Sequence, residues 1–252
     1  MGLRRWWIVT LAASTAVAAG VVPAQAADSA AHPALHPAAG VASARAAAAS
    51  GAYTVAVWDM DERAGGRVMY DSSGNGIDGS IGREVRTGGI YRFSRLEPDT
   101  PPAHPGHLVV VPDHAALDPG ARDFEVTVRL RTSHHFGNIV QKGQATVAGG
   151  SYKLQIPSGK VQCWFRGAAG QVLVTAPRPI NDGRWHVVTC TRYADGVALV
   201  IDGRKVAGRW GATGRIANSW PLSIGGKTTC DQRTVGCDYF AGDLDYVRVD
   251  AR

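Results

Sequence analysis

Between Asp123 and Thr132 the chain alternates strictly, with apolar Phe124, Val126, Val128 and Leu130 separated by polar Asp123, Glu125, Thr127, Arg129 and Arg131. A period of two sends successive side chains to opposite faces of a strand, so one face of this segment belongs in a core and the other in water. Tyr152 to Ile156 repeats the pattern, the turn residues Pro157-Ser158-Gly159-Lys160 follow, and Val161, Cys163 and Phe165 then take alternate positions. Two alternating runs around such a turn are a hairpin signature. Further strands are expected at 185–193 and 197–201, joined at Asp195-Gly196 by a primed turn, with Asp202-Gly203 as the next turn. Runs at 53–60, 107–111, 221–224 and 239–249 complete a series of short strands, and no stretch of the body carries a sustained helical period. The expected fold class is all-β, an antiparallel two-sheet sandwich or jelly roll.

The N-terminal part reads differently. Arg4 and Arg5 precede an apolar run from Trp6 through Val22, and Ala24-Gln25-Ala26 follows. A positive end, a short apolar core and a small-x-small site make a cleavable secretory signal, here residues 1–26. The run is Ala-rich and weakly hydrophobic, whereas a spanning helix needs roughly 20 strongly apolar residues. No second run is long enough to cross a membrane. Residues 27–50 are Ala-rich, with His32-Pro33 and His36-Pro37, and too poor in large apolar side chains to offset the entropy of ordering. This segment is expected to be a disordered linker or a pro-segment left after export, leaving 51–252 as one domain of sandwich size. The 27 basic and 21 acidic residues give +6, and loss of Arg4 and Arg5 leaves +4. Lys and Arg are scattered among acids and not gathered along one face, which speaks against a nucleic-acid partner.

Export sets the redox chemistry. Four cysteines in an oxidising compartment favour two bridges. Cys163 and Cys190 lie inside expected strands, while Cys230 and Cys237 flank a short loop, so pairing 163–190 with 230–237 needs the least distortion. The spacing lacks the C-x2–4-C pattern of a zinc site.

Five segments in order resemble the successive motifs of laminin G-like domains: Trp58-Asp59-Met60-Asp61-Glu62, Asp71-Ser72-Ser73-Gly74-Asn75-Gly76, Gly183-Arg184-Trp185-His186-Val187-Val188, Ile201-Asp202-Gly203, and Phe240 through Val249. These domains belong to the concanavalin A-like lectin/glucanase superfamily. The resemblance implies a jelly roll of two antiparallel sheets, one of them concave, with carbohydrate or glycoprotein ligands and often a structural calcium ion.

Asp71-Ser72-Ser73-Gly74-Asn75-Gly76 places oxygen donors at positions 1, 3 and 5 and glycine at 6, as the first half of a calcium loop does, but position 12 is Gly82. Two readings stand. One is a tight turn in which Asp and Asn bond their own backbone. The other is a calcium site with Asp71 and Asn75 as ligands and Asp245 or Glu62 reaching in from the terminal strands. For a sugar, an exposed aromatic ring with polar neighbours is the required chemistry. If Val161, Cys163 and Phe165 face the core, then Gln162, Trp164 and Arg166 point outward, and Trp164 stands either open or beneath a loop. Trp58 and Trp185, with apolar flanks, are expected in the core. His186 is expected to point outward, and His134-His135 to lie solvated in a loop.

Catalysis has little to start from. The Glu-x-Asp-x-x-Glu strand of the related glucanases is missing, and glutamate occurs only at 62, 84, 97 and 125. Asp243 and Asp245 are the best carboxylate pair, and no Gly-x-Ser-x-Gly elbow is present. The expected function is therefore a secreted, non-catalytic module for carbohydrate or glycoprotein ligands. A glycan hydrolase with an atypical acid pair and a structural envelope protein are the alternatives.

Overall fold

The computed structural model describes residues 52–96, 103–145, 147–230 and 237–252. The signal peptide and linker expected over 1–50 lie outside the described residues. Within them there are fifteen strands and three short 3-10 turns, and every strand pair is antiparallel. In chain order the strands are β1 (Tyr53–Trp58), β2 (Val68–Met69), β3 (Gly79–Ile81), β4 (Tyr91–Phe93), β5 (Val109–Val111), β6 (Phe124–Arg131), β7 (Asn138–Lys142) and β8 (Ser151–Gln155). They continue with β9 (Gln162–Gly167), β10 (Gly170–Thr175), β11 (Trp185–Tyr193), β12 (Gly196–Ile201), β13 (Arg204–Trp210), β14 (Leu222–Ile224) and β15 (Gly242–Ala251).

The strands form two sheets. The first runs β1-β15-β6-β11-β12-β13, with β4 also pairing β15. The second runs β10-β9-β8-β7-β14-β5-β3-β2. Their inner faces meet in one core that contains Val126, Val128 and Leu130 of β6 opposite Val140, Leu154 and Phe165 of the second sheet. Trp58 is wholly buried there, and its indole N–H donates to the Ile77 carbonyl at 2.8 Å, so the ring brings no unpaired donor into the core. Strand β6 alternates buried and half-buried along its whole length, as its sequence requires.

Both disulfides pair as expected. Cys163 of β9 and Cys190 of β11 are buried and bridge the two sheets through the core, closing a loop with a sequence separation of 27. By loop entropy this bridge contributes about 3–4 kcal/mol. Cys230–Cys237 closes a separation of 7.

Three local expectations change. The primed turn belongs to the β12–β13 hairpin, where Asp202 and Gly203 have φ of 50° and 76°. Ala194 and Asp195, which join β11 to β12, keep ordinary negative φ, and Gly196 already pairs with Tyr193. Residues 105–107 form a 3-10 turn ahead of β5. The final strand starts at Gly242 and runs on to Ala251.

The phase of β11 is also the reverse of the expected one. Trp185 lies opposite Arg131 on the outer face, and His186 lies opposite Leu130 on the core side. Trp185 is therefore half-buried under arginines and not a core residue. His186 turns inward at the strand end, where Asp202 and Asp182 hold its two ring nitrogens at 2.7 and 3.1 Å. Pairing register with β6 decides this, and a one-residue slip would exchange the two faces.

Strand β7 is buried on both sides, which a half-exposed strand is not. Residues 237–239 account for this at its start, where the Asn138 N–H donates to the Asp238 carbonyl at 2.7 Å. Leu108, Cys237 and Tyr239 form a satellite cluster, with Val110 and Cys230 packed against it. Beneath this roof, buried Asn138 donates to Gln141 at 2.7 Å, Gln141 donates to the Gly143 carbonyl, and the Ser223 hydroxyl donates to the Gly226 carbonyl. Each of these three buried polar side chains thus finds a partner. The Lys142 ammonium is fully buried and meets Asp113 at 2.8 Å, Asp118 at 2.9 Å and the Asn218 carbonyl at 2.7 Å.

Candidate functional site

Among the described residues this roof covers only the middle of the second sheet. Beyond it, β8, β9 and β10 present their outer faces in register. Trp164 lies directly between Lys153 on β8 and Leu173 on β10, and Gln162 lies between Gln155 and Thr175. Trp164 is half-buried, with the Lys153 ammonium 4.6 Å from its ring centroid. Leu173 stays 38% exposed, so the row ends in an apolar ledge. Alongside, the Gln155 amide donates to Gln162 at 2.7 Å, and the Gln162 amide donates to the Thr175 hydroxyl at 3.1 Å.

Arg166 lies on the same face but serves the adjoining loop. Its guanidinium donates to the Gln144 carbonyl at 3.1 Å and the Val147 carbonyl at 2.9 Å. The three residues read from the sequence thus share one face. Trp164 and Gln162 form its open part, while Arg166 fastens its border. Leu173, Lys153 and Gln155 join them, and only strand register reveals that, because they come from the two neighbouring strands β10 and β8.

The four residues read as metal ligands do not converge in the same way. Asp71 and Asn75 share one turn. One Asp71 carboxylate oxygen accepts the Val57 and Ser73 N–H groups at 2.9 Å each, and the other accepts the Ser73 hydroxyl at 2.8 Å and the Ile77 N–H at 3.1 Å. Burial raises the Asp71 pKa, the hydrogen bonds lower it, and the net shift is downward. Asn75 points its amide N–H groups at the Thr54 and Val55 carbonyls, tying the turn to β1. A carboxylate offers about four lone-pair positions, so a cation here would have to displace protein donors. Glu62 is engaged elsewhere, accepting from the Tyr70 N–H and the Tyr91 hydroxyl. Asp245 pairs with Arg129 on the other sheet. Among the described residues no group of three or more His, Cys, Asp or Glu is arranged to hold a metal.

Asp243 and Asp245 lie toward the outer face of the first sheet, each beside an arginine. Arg131 bonds Asp243, Arg92 approaches it at 3.9 Å, and Arg129 bonds Asp245. The guanidiniums of Arg129 and Arg131 stand 4.5 and 4.9 Å from the Trp185 ring centroid. Both carboxylates are thereby spent as counter-ions in a lattice that covers Trp185. His134 is half-buried and His135 exposed, in the loop between β6 and β7.

A laminin G family model, described as the concanavalin A-like lectin/glucanases superfamily, matches residues 106–252. The chain belongs to this superfamily. Solved laminin G-like folds lie close in backbone shape. Domains LG4-5 of the mouse laminin alpha1 chain superpose with a TM-score of 0.51 at 17% identity, over 64% of this chain and 41% of that one. The binding domain of Paraclostridial Mosquitocidal Protein 1 gives 0.52 at 12% identity, over 79% of this chain and 48% of that one. Domain 4 of AbnA, an extracellular arabinanase from Geobacillus stearothermophilus solved with arabinotriose, gives 0.52 at 15% identity, over 79% and 93%. The chain thus spans less than half of the laminin and mosquitocidal structures. No curated protein sequence matches it. At these identities the superpositions establish the laminin G-like fold, and function has to be argued from side chains.

Proposed function

We propose that this laminin G-like domain is a non-catalytic carbohydrate-binding module of an exported protein, and that the ligand rests on the open outer face of β8–β10. The observation that carries the reading is the Lys153–Trp164–Leu173 row beside the Gln155–Gln162–Thr175 amide ladder. A sugar ring has an apolar face and a rim of hydroxyls. An aromatic ring edged by amides and a lysine complements both. The AbnA domain, similar in fold over 93% of its length, was solved with arabinotriose, which supports a saccharide as the ligand class. Two disulfides favour an oxidising compartment, in keeping with the signal sequence read at residues 1–26. The non-catalytic part of the proposal rests on Asp243 and Asp245, whose carboxylates are held by arginines on the opposite sheet from this face.

A glycan array probed with the native protein and with Trp164→Ala tests this reading. The array signals are expected to fall about tenfold in the variant, the loss of roughly one aromatic stacking contact. The melting temperature should stay within a few degrees, and bound oligosaccharides should release no reducing ends. An unchanged array pattern in Trp164→Ala, or release of reducing ends, would overturn it.

A further inference from the structure

The first sheet carries a second aromatic feature, far along the chain from Trp164. Tyr193, Gly196 and Trp210 lie directly opposite one another on β11, β12 and β13. Directly opposed residues in an antiparallel sheet share a face, so the two rings flank a glycine. Trp210 is 80% exposed and Tyr193 is 38% exposed, the former more than any other large hydrophobic side chain described. Neither ring contributes to the core, and neither is covered as Trp185 is. The next row on this face places Thr191, Ala198 and Gly208 side by side, with the Lys205 side chain lying over Gly208. Together with Lys205 these residues line a groove of about 460 Å³, with Asp195 beside it in the turn between β11 and β12.

The dimensions suit one kind of guest. Strands are roughly 4.8 Å apart, so the Cα atoms of Tyr193 and Trp210, two strands apart, are separated by roughly 9.6 Å. A puckered sugar ring packs about 4 Å from an aromatic face, so that separation leaves room for one between the two side chains. The Asp195 carboxylate can accept from sugar hydroxyls, and the Lys205 ammonium can donate to them.

We propose that the Tyr193–Trp210 slot is a second saccharide-binding site, which clamps one sugar residue between its rings and is independent of the Trp164 face. The test uses the full-length protein, 15N-labelled, with indole N–H resonances assigned by Trp→Phe variants. Arabinotriose, cellotriose, chitotriose and trigalacturonic acid are the probes, with a proline-rich decapeptide as the competing ligand class. At least one saccharide is expected to move the Trp210 indole resonance, and Trp210→Ala and Tyr193→Ala each to weaken that sugar about tenfold, the loss of one aromatic contact. Because both side chains are largely outside the core, the variants should melt within about 3 °C of the parent. A Trp210 resonance that no saccharide moves overturns the proposal, as does one moved by the decapeptide alone. Movement at Trp210 with a still Trp164 resonance would sustain this site while removing the β8–β10 reading. The reverse result would remove this site and leave the other.

Discussion

The two outer faces of the sandwich each hold a half-buried tryptophan, and the two residues are treated in opposite ways. On the first sheet, Trp185 is covered by Arg129 and Arg131, which are neutralised by Asp245 and Asp243. On the second, Trp164 has one lysine at its ring and exposed Leu173 beside it. A lysine holds its ring contact through a flexible stem, whereas paired arginines stack as planes and lock each other in place. An aromatic residue on a sheet face is thus a binding candidate only where its neighbours can yield. Trp185 stabilises its own sheet, and Trp164 is available.

The largest effect expected tests what both faces share. Replacing Cys163 and Cys190 together by alanine should cost about 3–4 kcal/mol and lower the melting temperature by about 10 °C, weakening both faces alike. Calorimetry of the double variant checks this, and a loss confined to one face would show that the sheets are not held as a unit. Next comes the turn that pins β1, the edge strand on the arginine-laced side. Asp71→Ala leaves the Val57, Ser73 and Ile77 N–H groups without their acceptor and should cost about 2–3 kcal/mol in denaturant melts. That cost should be equal in calcium and in chelator. A parent protein that melts higher in calcium would turn this turn into a metal loop.

Trp185→Ala is expected to cost about 1–2 kcal/mol while leaving glycan binding intact, as an array and denaturant melts would show. Paired with Trp164→Ala, it forms a crossed test. If Trp185→Ala lost binding and Trp164→Ala lost stability, the assignment of the faces would be reversed.

The smallest effect expected is electrostatic. Burial pulls the His186 pKa down, the carboxylates of Asp202 and Asp182 more than offset it, and the net shift is upward. A raised folded-state value favours the imidazolium in the native protein. Its stabilisation is fully present below about pH 6.5 and is lost as pH rises through the folded pKa. His186→Ala should therefore destabilise more at pH 5.5 than at pH 9, in melts run at both. An equal cost at the two values would mean that the clamp between Asp182 and Asp202 is not ionic.

How much was legible in the sequence varies with how local the cause is. Strand β6 was readable because one phase is wholly apolar and the other wholly polar. Strand β11 was not, because Trp185, Val187 and Val188 place apolar side chains in both phases. Strand β13 carried no signal at all, since Arg204, Lys205, Gly208 and Arg209 lie on an edge and the strand is held by backbone pairing. Of the candidate face, Trp164 and Gln162 could be found from alternation around Cys163. Lys153, Gln155 and Leu173 could not be joined to them until β8 and β10 were aligned on β9. The Tyr193–Gly196–Trp210 row had no sequence signal beyond the residue types.

The sequence by itself determined the all-β class, the alternation that builds the core from β6 and β9, and the cysteine pairing. These follow from steric period, turn chemistry and loop length, all properties of short stretches of chain. Which phase of β11 faces inward, what packs over the start of β7, and which aromatics stand open were settled by folding. Those outcomes depend on register and coverage between segments far apart in the chain. A shift of one residue in pairing costs little locally yet moves every side chain to the other face.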